Sequence, residues 1–70
     1  MGFRDMDLDD QVRAALRKSA ELIGFRIEVD VRNGIVRLRG KVSNDAREQA
    51  VRLARSVESV AAVLDEMNSM

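Results

Sequence analysis

Asn33 and Gly34 stand between two stretches in which apolar and charged residues alternate. On one side Ile27, Val29 and Val31 are separated by Glu28 and Asp30. On the other, Val36, Leu38, Gly40 and Val42 are separated by Arg37, Arg39 and Lys41. A period of two puts the apolar side chains of a strand on one face. Asn-Gly between two such strands suits a two-residue type I′ turn, because both central residues need positive φ. The turn sets the register by counting back from it. Arg32 opposes Ile35, Val31 opposes Val36, Asp30 opposes Arg37, Val29 opposes Leu38 and Glu28 opposes Arg39, with Ile27 against Gly40 and Arg26 against Lys41. A slip of one residue buries the charges and exposes the valines. The polar face of this hairpin therefore sets Asp30 and Glu28 against Arg37 and Arg39.

The flanking segments have a helical period. Leu8, Val12, Ala15, Leu16, Ala20 and Ile23 form one apolar stripe and predict a helix over Leu8 to Ile23. Asp7 or Asp9 can cap its start, and Gly24 is a natural stop. After the hairpin, Ala46, Ala50, Leu53, Ala54 and Val57 define a second helix. Ser43 or Asn44 can cap it, and Asp45 with Glu48 offers a competing capping box. Val60 to Met67 reads as a short third strand, with Val63 and Met67 facing inward and Asp65 between them.

Each helix must bury its stripe, and the apolar hairpin face is the surface available. The expected fold is α+β: a two-layer α/β sandwich of order αββαβ, with a three-stranded sheet and both helices packed on one face. The third strand is expected beside the second, in a mixed sheet with a right-handed crossover, and a place beside the first strand is the alternative. A single domain is expected over 8–67, with a flexible acidic N-terminus over 1–7 and a frayed end over 68–70. Aromatic residues are limited to Phe3 and Phe25, so the core is expected to be aliphatic.

Composition narrows the chemistry. There is no Cys and no His, which removes disulfides, thiolate sites, the commonest metal ligand and the commonest general base. The hydroxyls of Ser19, Ser43, Ser56, Ser59 and Ser69 have no motif that supplies a base. Asp65 and Glu66 are adjacent, so on a strand they point to opposite faces and cannot act as a pair. No enzyme, metal site or cofactor is expected. Asp5, Asp7, Asp9 and Asp10 lack the spacing of an EF-hand loop and suit capping and solubility. Gly24, Gly34 and Gly40 never form a Gly-x-x-Gly loop, and no aromatic lies on the sheet, so nucleic acid is not expected as a partner.

The element order and residues resemble the BON domain, a bacterial family named for osmotically inducible and nodulation-related proteins. The resemblance spans Leu8 to Met67. It is carried by Val12 to Leu16, Ile27 to Val29, Asn33 to Val42, Ala46-Arg47, Ala50, Leu53-Ala54 and Val57 to Val63. Where that family usually has Gly in the turn before the last strand, this chain has Ser59, which argues for a looser connection there. The resemblance implies a non-enzymatic module of envelope or periplasmic proteins that binds phospholipid surfaces. No signal-peptide order stands near Met1, so the chain is expected to be cytoplasmic if it is the whole natural protein, an inference that fails for an excised piece.

Net charge is zero, with twelve bases and twelve acids. The largest local excess lies between Arg26 and Lys41. Arg26, Arg32, Arg37, Arg39 and Lys41 are thus the candidate site for an anionic phospholipid surface. The competing reading is a solvated sheet face, part-neutralised by Glu28 and Asp30, that guards against edge-to-edge aggregation. An envelope protein or a second copy of the chain is the alternative partner. Gly40 is expected to let backbone pack closely against a helix, with a bulge as the lesser reading. Met1, Met6, Met67 and Met70 with Phe3 either offer an adaptable contact surface or form frayed ends.

Overall fold

The computed structural model describes the backbone of residues 3–69 and the side chains of residues 7–69. Helix α1 (Phe3–Arg17) is followed by a 3-10 turn (Ala20–Leu22). Strands β1 (Glu28–Arg32) and β2 (Ile35–Val42) come next, then α2 (Asn44–Ser56) and β3 (Ala62–Ser69). The order is αββαβ, and the sheet runs β1-β2-β3. β1 and β2 are antiparallel while β2 and β3 are parallel, which makes the sheet mixed and puts the third strand beside the second.

The hairpin has the counted register, from Arg32↔Ile35 to Glu28↔Arg39. Asn33 and Gly34 take φ of 52° and 80°, the double positive φ that a type I′ turn requires. The ladder stops at Glu28↔Arg39, short of the Ile27–Gly40 and Arg26–Lys41 pairs that counting extends to. Gly40 explains the stop. Its φ is 143°, and a Cβ there would overlap the carbonyl oxygen of Arg26. The backbone that crowds Gly40 therefore belongs to the segment just before β1, not to a helix as expected.

Val29, Val36, Leu38 and Val42 from the inner face meet Leu8, Val12 and Leu16 of α1 and Ala46, Ala50 and Ala54 of α2 in one core, with Met67 of β3. The core is aliphatic, and its fully buried large side chains are Leu38, Val12, Val36 and Val42. Ser43 caps α2, its Oγ accepting the Ala46 N–H at 3.2 Å, so the Asp45–Glu48 capping box is not used.

α1 departs from the periodic reading at both ends. It begins at Phe3, inside the expected acidic tail, so Asp7 and Asp9 lie within the helix instead of capping it. Asp9 pairs with Arg13 one turn on, at 2.7 Å, and this hydrogen-bonded carboxylate raises the guanidinium pKa above its ordinary value. The helix ends at Arg17, because Ser19 takes an extended backbone (φ −90°, ψ 120°) that leads into the 3-10 turn. The turn shifts the phase of the stripe. Leu22 enters the core in place of Ile23, which is 74% exposed, and Ala20 is exposed as well. Gly24, at φ 94°, turns the chain toward β1 instead of ending α1.

The last connection is also tighter than expected. Ser59 adopts φ 80°, the left-handed conformation that glycine takes without strain. The turn is held against the hairpin tip, where the Ala61 N–H donates to the Gly34 carbonyl oxygen at 2.8 Å. β3 starts two residues later than the sequence pattern suggests and continues to Ser69. Asn68 and Ser69, expected to fray, instead pair with Lys41 and Val42.

Candidate functional site

β1 and β2 present a layered outer face, because residues paired across a sheet share a face. From the turn inward the rows are Arg32, Ile35 and Ala62; Asp30, Arg37 and Leu64; Glu28, Arg39 and Glu66; then Lys41 and Asn68. Four of the five candidate bases, Arg32, Arg37, Arg39 and Lys41, stand on this face, and all four are exposed. Arg26 is exposed too but precedes β1, where its backbone lies against Gly40. The candidate residues are thus gathered along one side of the sheet without forming a single cluster.

The charges are arranged differently from the hairpin taken alone. Asp30 and Glu28 are the ladder partners of Arg37 and Arg39, yet both guanidiniums turn to the other neighbour. Glu66 of β3 forms ion pairs with Arg37 at 3.2 Å and with Arg39 at 3.7 Å. The rows then carry four bases against Asp30, Glu28 and Glu66, an excess of one. All the partners are about half exposed, so these pairs bring little stability and mainly cancel field. Among the described residues, Arg32, Lys41 and Arg26 make no ion pair and remain available to a ligand.

The outer face also has an apolar corner. Ile35 is 40% exposed and Leu64 is 43% exposed, and both line a shallow depression of about 160 Å³ with Asp30, Arg32, Asn33 and Arg37. Alternation along β2 shows that Ile35 points outward, but Leu64 joins it only once the β2–β3 register is known.

Asp65 and Glu66 point to opposite faces, as adjacency on a strand requires. Asp65 faces α2, where Arg47 Nε donates to its Oδ2 at 2.6 Å and the Met67 N–H donates to Oδ1 at 3.0 Å. Arg47 also reaches Ser69 Oγ at 3.5 Å, and that hydroxyl donates to Asn44 Oδ1 at 2.6 Å. On the opposite edge of the sheet, Arg13 Nη2 donates to the Val29 carbonyl oxygen at 3.2 Å. A side chain thus occupies a backbone group on each edge strand, which blunts strand addition.

Met67 is buried in the core, whereas Met1 and Met70 and the side chains of Phe3 and Met6 fall outside the described residues. Of the acidic run, Asp5 has no described side chain, Asp7 and Asp10 are exposed, and Asp9 is engaged by Arg13. Among the described residues no group of three or more metal-binding side chains converges. No helix among them is long and apolar enough to cross a membrane.

The family model of the BON domain matches residues 4–68, nearly the whole chain. Comparison of this chain with curated proteins found no match. BON domains bind lipids or proteins and are often associated with the cell envelope. With that match over αββαβ order and the Asn33-Gly34 hairpin, this chain belongs to the BON domain family, a family of non-catalytic binding domains.

Proposed function

We propose that this domain docks reversibly on anionic phospholipid surfaces of the cell envelope through the outer face of its sheet. The observation that carries the reading is the corner where exposed Ile35 and Leu64 sit beside Arg32, a base with no ion-pair partner among the described residues. Apolar side chains that enter the headgroup boundary, beside bases that meet phosphate, are the two signals that interfacial docking combines. Each base near an anionic surface contributes on the order of 1 kcal/mol. A face with an excess of one base therefore binds weakly by itself, which suits an accessory module that adds to other contacts.

Co-sedimentation with phosphatidylglycerol-containing and pure phosphatidylcholine vesicles tests this at low and high salt. Binding to the anionic vesicles alone, weakened by salt and by Arg32→Glu, is expected. Equal failure to bind both kinds at low salt defeats the reading.

The Glu66 clamp favours a second reading. A face of nearly balanced charge with an apolar corner also suits a protein, either an envelope partner or a second copy of the chain. Light scattering across concentration measures self-association directly, and a monomer at every concentration leaves only a different protein as the partner.

A further inference from the structure

Ile23 is the most exposed large apolar side chain among the described residues, and the fold does not use it. Its exposure is built into the loop. The preceding residue, Leu22, is plugged into the core, and Phe25 and Ile27 pack against that core. Two backbone hydrogen bonds hold the bend, Ile23 N–H to the Ala20 oxygen at 3.3 Å and Phe25 N–H to the Leu22 oxygen at 3.2 Å. Gly24, at φ 94°, has nothing within 4 Å of the place its Cβ would occupy, so the chain beside Ile23 is open to solvent. A β-branched apolar residue is thus held out on an anchored bend.

Charge around the bend is one-sided. Residues 17–26 carry Arg17, Lys18 and Arg26 against the single acid Glu21. All three bases are exposed, and none forms an ion pair among the described residues. Arg17 lines the same depression as Ile23, Gly24 and Phe25, a space of about 290 Å³ between α1 and the free edge of β1. Its walls include Leu16, Leu22 and Val29, with Arg13 at the rim. Arg13 is already held by Asp9 and the Val29 carbonyl oxygen, which leaves Arg17 as the cation open to an anion.

We infer that the loop from Arg17 to Arg26 is a membrane-inserting element. Ile23 enters the boundary between headgroups and acyl chains of an anionic bilayer, while Arg17, Lys18 and Arg26 contact lipid phosphates. The inference rests on the lipid-docking reading and adds a second contact to it. The loop precedes β1 whereas the Ile35–Leu64 corner lies beyond its far end, so the two contacts stand at opposite ends of a strand about 16 Å long. Bases meet phosphate at the depth where an apolar side chain of this length reaches the acyl boundary.

The chain has no Cys, so a single introduced cysteine places a label at one site. Ile23→Cys and, as a control on α2, Glu48→Cys are labelled with an environment-sensitive fluorophore. Each is mixed with vesicles of phosphatidylglycerol and phosphatidylcholine in equal parts. A blue shift at position 23, with quenching by a bilayer-embedded quencher, and no change at position 48 is the expected result. Unlabelled Ile23→Ser, with thermal unfolding unchanged, is expected to bind these vesicles about tenfold more weakly, the scale of one lost apolar side-chain burial. If the protein sediments with the vesicles but the label at 23 does not respond and Ile23→Ser binds normally, the loop assignment is overturned and lipid docking stands. If the protein does not sediment with the vesicles, both fall together.

Discussion

Arg37 and Glu66 lie 3.2 Å apart, although the β2–β3 register sets Arg37 beside Leu64 and Glu66 beside Arg39. The pair is diagonal, and the same carboxylate reaches Arg39 at 3.7 Å. One acid from the third strand thus occupies the two central bases of the hairpin face. Replacing it changes the field of the face while touching little that holds the fold together.

Glu66→Gln is expected to raise affinity for anionic vesicles about fivefold, the effect of about 1 kcal/mol for one released charge near such a surface. Stability in denaturant is expected to change by less than about 1 kcal/mol, because exposed ion pairs contribute little. Co-sedimentation alongside urea unfolding separates the two effects. Unchanged affinity means that the face does not meet phosphate.

Ser59→Gly is expected to stabilise the domain. Ser59 is exposed and sits at φ 80°, and the left-handed conformation costs a non-glycine residue about 1 kcal/mol. In a domain of this size that corresponds to a rise in Tm of about 4–8 °C. Thermal melting followed by circular dichroism measures it, and a lower Tm contradicts the strain.

Gly40→Ala is expected to have the opposite effect. The new Cβ would overlap the Arg26 carbonyl oxygen, which is backbone and cannot swing aside, and the φ of 143° is itself unfavourable for alanine. A loss of at least about 2 kcal/mol is expected, a large part of the stability of a small domain. Chemical denaturation checks the size of the loss.

Ser43→Ala removes the oxygen that accepts the Ala46 N–H at the start of α2. The loss of such a cap costs about 1 kcal/mol. Equilibrium unfolding of the variant beside Asp45→Asn separates the used cap from the unused capping box. Only the first substitution is expected to destabilise the domain through capping.

How far each feature could be read from the sequence depends on the range of the interaction that makes it. The hairpin was legible because its signals are local: alternation sets the faces, and Asn33-Gly34 sets the register. The Ser43 cap was among the readings open, and the aliphatic core followed from composition. The end of α1 was not legible, because Leu16, Ala20 and Ile23 continue a helical stripe past Arg17. Only the need for the chain to leave the helix and reach β1 moves Leu22 inward and Ile23 outward. The neighbour of Gly40 is not legible for a related reason, since the residue that crowds it, Arg26, lies outside the ladder. At the candidate site, alternation places Arg32, Arg37, Arg39 and Lys41 on one face, whereas Arg26 lies before β1. Glu66 and Leu64 join that face only through the parallel register of β3, which includes the weak strand former Ala62 and carries no turn signal of its own.

Nuclear magnetic resonance of the isotope-labelled domain on phosphatidylglycerol nanodiscs tests the docking face most directly. Shifts or broadening at Arg32, Ile35, Arg37 and Leu64, with Glu48 and Arg52 on α2 unaffected, is the expected result. Perturbation confined to α2, or no perturbation at any residue, contradicts docking through the sheet.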